Sequence, residues 1–183
     1  MKVLAFVAIS SLLAPLILAA DPPKANKKIF TVDWNDERFI SGLSSNWVRR
    51  GYFKNSKGDK VFCVCKCIEK GSNADNQVYR MQKYSGMPGF PVMYGYEEVN
   101  GKYIIGMQYY ALGTLEDLVG NFRRLKMAPS DDLVRHFVLG TAKILRGLLK
   151  NGECHNDIKL DNIIVGDGPD FEPILIDFEH MRY

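Results

Sequence analysis

The chain has 183 residues, of which 46% are hydrophobic and 11% aromatic, and its 24 Lys and Arg against 21 Asp and Glu give a net charge of +3. This composition is typical of a globular protein with one core. The charge is too small, and the basic residues too dispersed, for a nucleic-acid-binding protein, so we exclude that class.

The first twenty residues have the pattern of a secretory signal peptide. Lys2 precedes an apolar run over 3–18, and Ala19 and Ala20 come before a polar segment. The run is short for a membrane span, so we predict cleavage near Ala20 and a secreted mature chain without a membrane segment. An uncleaved N-terminal anchor is the alternative. Residues 21–40, rich in Pro and Lys at first, are predicted to form a flexible lead-in.

Residues 41–110 are predicted to form an antiparallel sheet with one helix packed on it. The segments GYFKN and KVFCVCKCI flank the turn-rich SKGD and predict a hairpin. Cys63, Cys65 and Cys67 alternate along its second strand, so they share one face and are poorly placed to bridge each other. Their spacing does not fit a zinc site, and we expect small apolar side chains packed under the sheet.

A helix and a second hairpin follow. The segment SNADNQVYRMQKYSG has apolar residues at helical spacing, with Ser72 or Asn73 as the expected N-cap. The segments PVMYGYEEV and KYIIGMQYY flank Asn100 and Gly101, a dipeptide that favours a tight hairpin turn. Four or five antiparallel strands are therefore expected in the sheet.

Residues 111–183 are predicted to be mainly helical. In GTLEDLVGNFRRL, Thr114 and Asp117 stand in capping-box positions. The segment SDDLVRHFVLGTAKILRGLLKNG has apolar residues at helical spacing, Ser130 as its N-cap and Gly152 as its stop. The segments NIIV and PILID, on either side of the turn GDGP, predict a short hairpin.

The stretch ECHNDIKLDNIIV concentrates polar residues at fixed offsets. Asp157 follows His155, Lys159 and Asn162 come two and five residues later, and Asp177 ends an apolar run beyond the hairpin. Transfer of a phosphoryl group needs cations against its oxygens and a carboxylate that orients the attacking hydroxyl. Carboxylate and amide oxygens are also suitable ligands for magnesium. These residues therefore predict phosphoryl-transfer chemistry.

At these residues the chain resembles the eukaryotic protein kinase superfamily. HNDIKLDN is similar to the catalytic-loop pattern H-R-D-x-K-x-x-N, with Asn156 in place of the Arg, and IDFE stands where D-F-G is expected. The resemblance implies an α+β, protein kinase-like fold, with an antiparallel-sheet N-lobe and one helix at 41–110. An incomplete, mainly helical C-lobe at 111–183 follows.

The resemblance also implies roles for single residues. It makes Asp157 the catalytic base, Lys159 a phosphate contact, and Asn162 and Asp177 the ligands of Mg²⁺.

Resemblance to the superfamily extends upstream of the catalytic loop. VFCVCKCI is similar to the strand with the lysine of V-A-I-K, which implies that Lys66 contacts the α- and β-phosphates of ATP and Val64 the adenine. VYRMQKYSGMPGFPVMYGY and MQYYALGTLEDLV are most similar to the casein kinase 1 group.

Several positions depart from the kinase pattern. No G-x-G-x-x-G precedes Lys66, and Gly42 is the candidate first glycine of a degenerate phosphate loop. The Glu that usually pairs with the strand lysine is absent, and Asp75 is the expected substitute, with Gln77 next. Glu179 replaces the glycine of D-F-G.

The sequence stops soon after the D-F-G-like motif. Tyr183 lies six residues after Asp177, before the activation segment and the later C-lobe helices of a kinase. We therefore expect either a fragment of a longer kinase or a cut-down module that leaves apolar helix faces exposed.

The predicted function is that of a secreted Ser/Thr protein-kinase-like enzyme, which binds ATP and Mg²⁺ and acts on a protein substrate. One alternative is a small-molecule phosphotransferase, because CHND, NII and IDFEH also resemble the choline kinase and aminoglycoside phosphotransferase signatures. Lys159 and the hinge-like GTLEDL argue against it. The other alternative is a secreted, inactive pseudokinase that acts as a binding module for a partner protein.

Overall fold

The structure, a computed structural model, describes residues 29–35 and 46–182. Over those residues the fold is α+β, with a five-stranded antiparallel sheet in the order β1-β2-β3-β5-β4, three α-helices and a two-stranded hairpin. The elements are β1 (Thr31–Val32), β2 (Trp47–Lys54), β3 (Lys60–Glu69), α1 (Ser72–Tyr84), β4 (Met93–Val99), β5 (Lys102–Met107), α2 (Leu115–Arg124), α3 (Asp131–Lys150), β6 (Ile163–Val165) and β7 (Pro173–Leu175). The predicted signal peptide, Gly42 and most of the lead-in lie outside the described residues.

Both predicted hairpins of the sheet are confirmed. Strand β2 pairs with β3, and β4 pairs with β5, each in antiparallel register. Asn100 and Gly101 have φ angles of 50° and 73°, the left-handed backbone that a tight hairpin turn needs at both positions. The chain therefore reverses here without breaking the register of the flanking strands.

The side chains on the two faces of the sheet have different environments. Residues paired across antiparallel strands project to the same side, and Lys66 pairs with Val48 on β2 and with Ile105 on β5. On the opposite face, Cys63 and Cys65 pack in a small core with two phenylalanines. The prediction for the cysteines is confirmed, since all three cysteines of β3 are buried free thiols.

Strand β1 was not expected inside the predicted lead-in. Thr31 pairs with Tyr52 and Val32 with Gly51, so this short segment extends the sheet beyond β2. The ring of Phe30 sits where a side chain at Gly106 would project, which explains why a glycine occupies that place on β5.

The predicted helix α1 forms, but its predicted capping is wrong. Gly71 is the N-cap residue, and no side chain caps the helix, because Ser72 and Asn73 already lie in the first turn. The predicted caps of the other two helices are confirmed. In α2 the Thr114 and Asp117 side chains each accept the other's backbone N–H, and in α3 Ser130 accepts from Leu133.

The core connects the sheet and α1 with the second half of the chain. One buried cluster includes Met81 of α1, Ile105 of β5, Leu148 of α3, Leu175 of β7 and Phe178. Each of these side chains is at most 5% exposed, and burial of one such side chain contributes about 1.5–3 kcal/mol. This shared core fixes the sheet relative to the loops that follow α3.

The helices of the second half keep some apolar side chains in solvent. Val138, Leu139 and Leu149 of α3 are each about 60% exposed, and Leu125 after α2 is 63% exposed. Within the described residues, no helix has the length and apolar character needed to cross a bilayer.

Candidate functional site

A cavity of about 660 Å³ lies between the sheet and the loops of the second half. Apolar walls and a few convergent polar groups are typical of a ligand site. The upper wall is formed by β2, β3 and α1, the back by the segment after β5, and the floor by the loops around β6 and β7. The lining includes Asn46, Trp47, Val48, Val64, Lys66, Gln77, Met81, Met107, Gln108, Tyr109, Lys159, Asn162, Ile164, Ile176 and Asp177.

Lys66 and Asp177 meet inside this cavity. The Lys66 Nζ lies 2.7 Å from Asp177 Oδ1, and the two side chains are 18% and 27% exposed. Burial would raise the pKa of Asp177, but the charge of Lys66 and its hydrogen bond outweigh burial and lower it. Asp177 is therefore an ionised carboxylate at neutral pH, held by a residue that is 111 positions away in the sequence.

Asp157, Lys159 and Asn162 form a second polar group at the floor. The Asn162 amide nitrogen donates to Asp157 Oδ2 at 2.8 Å and to the Asp157 carbonyl at 2.9 Å. The Lys159 ammonium lies 2.9 Å from the same Oδ2. The hydrogen bonds to Oδ2 from Lys159 and from Asn162 lower the pKa of Asp157, which keeps this carboxylate ionised.

Three oxygens of this polar group accept no hydrogen bond from the described residues. They are Asp157 Oδ1, Asn162 Oδ1 and Asp177 Oδ2. Asn162 and Asp177 are also joined through the backbone, since Ile176 N donates to Asn162 O at 3.0 Å. The residues predicted as metal ligands therefore have oxygens available for a hard cation.

His155 fixes the position of the loop that holds Asp157 against the segment before Asp177. The backbone N–H of Asp157 donates to His155 Nδ1 at 3.3 Å, so the ring proton resides on Nε2, 2.9 Å from the carbonyl oxygen of Ile176. Burial lowers the pKa of His155, although the Ile176 carbonyl and nearby carboxylates oppose this shift. The ring is therefore neutral in the folded protein at pH 7.

We expect the free energy of unfolding to fall as the pH decreases from 7 to 5, in part through His155. The unfolded side chain titrates near pH 6.5, and the folded one at a lower pH, so the unfolded state binds more protons between these values. Urea unfolding at a series of pH values measures this slope. His155→Gln should show a shallower slope, and an equal slope in both proteins would contradict the assignment.

The structure corrects the predicted partner of Lys66 on α1. Asp75 is exposed, and its Oδ1 accepts a hydrogen bond of 2.6 Å from Tyr103. This bond raises the pKa of Tyr103 to about 12. Gln77 instead is 1% exposed and donates to Asp177 Oδ1 at 3.1 Å. Residues two positions apart on a helix point about 200° apart around its axis, so Asp75 and Gln77 cannot face the same cavity.

Two predicted positions remain, Val64 and Gly42. Val64 lines the cavity as predicted for an adenine contact, whereas Gly42 lies outside the described residues. Sequence reasoning did not identify the apolar wall contributed by Val48, Ile164 and Ile176. Apolar residues do not alternate along β2 (WVRRGYFK) or β6 (IIV), so no periodic signal marked Val48 or Ile164 as lining residues.

Within the part of the chain that the structure describes, no three His, Cys, Asp or Glu side chains are grouped to hold a metal ion. A cation at Asn162 and Asp177 would therefore depend on further oxygens from a ligand. No protein-family model matches the sequence, and a search of curated proteins finds no significant match.

Proposed function

We propose that this chain is a protein kinase-like protein that binds ATP with Mg²⁺ in the cavity and transfers the γ-phosphate to a Ser or Thr hydroxyl of a protein. The observation that carries the proposal is the meeting of Lys66 with Asp177, beside the loop that holds Asp157 and Asn162. If these polar residues served only as helix caps or in turns, residues 66 and 177 would have no reason to meet in one cavity.

Each polar residue has a distinct role in this proposal. Lys66 and Lys159 present ammonium groups to phosphate oxygens from the upper and lower walls. Asp157, with one free carboxylate oxygen, accepts the proton of the attacking hydroxyl. The amide nitrogen of Asn162 donates to Asp157 and orients that carboxylate, so the amide oxygen stays available to a cation.

The residues fit a magnesium–nucleotide complex better than a free metal ion. Mg²⁺ is usually bound through one or two protein oxygens together with substrate phosphates, and Asn162 and Asp177 supply that number. When bound, Mg²⁺ would neutralise the negative charge that develops on the transferred phosphoryl group. Val48 and Val64 on the sheet and Ile164 and Ile176 on the floor give an apolar slot for a flat ring.

We favour a protein substrate over a small molecule because of Lys159. Its Nζ lies 2.9 Å from Asp157, at the exposed rim of the cavity, where it would lie beside the hydroxyl acceptor. The resemblance to choline and aminoglycoside phosphotransferases gives no reason for a lysine at this place. Secretion of the protein stays a prediction from the N-terminal sequence.

One observation favours a second candidate, a pseudokinase that binds a partner without catalysis. The residue of α1 that reaches the site is the neutral Gln77, so Lys66 pairs with Asp177, the proposed metal ligand. A cation would have to compete with Lys66 for this carboxylate, which would weaken Mg²⁺-dependent binding.

Thermal unfolding of the purified protein with millimolar ATP and Mg²⁺ tests the proposal. We expect a rise in the melting temperature that is lost in Asp177→Asn and retained in Asp170→Asn, an exposed turn residue with the same change of side chain. Transfer of labelled phosphate to casein, abolished by Asp157→Asn, would identify the enzyme. Binding without transfer would support the pseudokinase. No shift in the melting temperature would overturn both the protein kinase and the small-molecule phosphotransferase.

A further inference from the structure

Glu153 is a completely buried carboxylate whose charged and hydroxyl partners all lie on α1. Its side chain is 0% exposed, and a buried carboxylate is unfavourable unless charged or hydrogen-bonding groups compensate it. Arg80 Nε lies 3.3 Å from Oε1, Lys83 Nζ lies 2.8 Å from Oε2, and the Tyr84 hydroxyl donates to Oε2.

These partners keep Glu153 ionised. Burial would raise the pKa of Glu153, but the hydrogen bonds from Lys83 and Tyr84, the charge of Lys83 and the bond from Arg80 lower it. The pKa of Lys83 is raised, since its contacts with Glu153 and Tyr84 outweigh its partial burial. Glu153 and Lys83 are therefore both charged at neutral pH.

The backbone attaches Glu153 firmly to the floor of the site. At the end of α3, Gly152 has φ of 73°, its N–H donates to Leu149, and the Glu153 N–H donates to Leu148. This Schellman arrangement turns the chain back under α1. The next residue, Cys154, exchanges two backbone hydrogen bonds of 2.8 and 3.0 Å with Arg182. Glu153 thus stands two residues before His155, beside the segment that follows Asp177.

Helix α1 connects Glu153 with the cavity. Gln77, Arg80 and Tyr84 have the spacing i, i+3 and i+7, which places them along one face of α1. The end of this face near Gln77 contacts Asp177, and the other end contacts Glu153. Tyr84 also stacks on Phe90, with ring centroids 4.7 Å apart.

We infer that Glu153 is a positioning residue, which fixes α1 against the second half of the chain and thereby holds Gln77 on Asp177. The cavity is then assembled before any ligand binds. The consequence for nucleotide binding rests on the proposed function, whereas the attachment of α1 does not.

Amide hydrogen exchange of α1 tests the attachment without any nucleotide. Glu153→Gln should accelerate exchange of the α1 amides at least tenfold relative to those of β3. Glu98→Gln is the matched control, because Glu98 forms an exposed ion pair with Lys70 at 2.8 Å, and it should change nothing in α1. Unchanged α1 exchange in Glu153→Gln would overturn the inference.

A double-mutant cycle tests whether Glu153 acts through Gln77. We expect Glu153→Gln and Gln77→Ala each to weaken binding of ATP with Mg²⁺ about tenfold, and the double variant to be little weaker than either. A general loss of stability would instead give additive effects, which would overturn the positioning role. If Glu153→Gln does not fold, Lys83→Met and Tyr84→Phe replace it in both experiments.

The two hypotheses fail in different ways. If the unchanged protein does not bind ATP, the proposed function fails, and the α1 exchange rates still decide whether Glu153 holds the helix. If ATP binds and α1 exchange is insensitive to Glu153, only the positioning role is wrong.

Discussion

Lys66→Ala is expected to reduce strongly the stabilisation of the protein by ATP and Mg²⁺ while the protein remains folded. The Lys66 ammonium lies on the cavity face of β3 and contacts Asp177 at 2.7 Å, where it would bind phosphate oxygens. Hydrogen bonds to charged groups contribute about 1.5–3 kcal/mol, so the affinity should fall about 10- to 100-fold. Isothermal titration with ATP and Mg²⁺ measures this loss.

Removal of Lys66 also changes the protein without ligand. Asp177 would keep its bond from Gln77 but lose the neighbouring positive charge, so its pKa should rise from the lowered value. The free energy of unfolding at pH 7 should fall by about 1–3 kcal/mol, which leaves the fold intact for the binding measurement.

Lys70→Ala is the matched control for Lys66→Ala. Lys70 directly follows β3, and its ion pair with Glu98 joins side chains that are 43% and 46% exposed. Exposed pairs contribute less than about 1 kcal/mol, so neither stability nor nucleotide binding should change much. If Lys66→Ala binds ATP as tightly as Lys70→Ala, Lys66 is not a phosphate contact.

Local signals in the sequence were sufficient for most elements of the fold. Asn100 and Gly101 could be assigned to a tight turn, and Thr114 and Asp117 to a capping box, because each depends on neighbours within a few residues. Strand β1 depends instead on pairing with β2 and on the space above Gly106, which the local sequence does not reveal.

The site was predictable as a set of residues, but not in its contacts. The spacing of Asp157, Lys159 and Asn162 places them in one loop, and the structure joins them directly. The choice between Asp75 and Gln77 depended on the rotation of α1 about its axis. Residues distant in the sequence set that rotation, and Glu153 is among them.

The role of Glu153 was hidden because a glutamate after a helix usually indicates a solvent-exposed loop. Its burial follows from three side chains on α1, about 70 residues earlier in the chain. Contacts over such separations need the packed fold before they can be identified.

Gln77→Glu is expected to make the site more dependent on magnesium. At present, Asp177 Oδ1 accepts hydrogen bonds from both Lys66 and Gln77. A carboxylate at position 77 would repel Asp177 and compete with it for the Lys66 ammonium. Asp177 would then be released from Lys66 and available to a cation.

A loss of stability without metal, together with a gain in affinity with metal, distinguishes this prediction from simple damage to the core. Without metal, two carboxylates would share one ammonium, and the free energy of unfolding should fall by about 1–3 kcal/mol. With ATP and Mg²⁺, the added cation offsets this repulsion, and the affinity should be about tenfold higher than in Gln77→Ala, which loses the same hydrogen bond, or about 1.4 kcal/mol.

Asn76→Asp provides the control, because it makes the same change from amide to carboxylate on the adjacent, exposed position of α1. It should alter neither the stability without metal nor the response to magnesium. Isothermal titration with ATP, in the presence of Mg²⁺ and in its absence, separates the two contributions for each variant. A Gln77→Glu protein that binds ATP more weakly than Gln77→Ala under both conditions would show that Asp177 is not a metal ligand, since release of Asp177 from Lys66 would then confer no advantage.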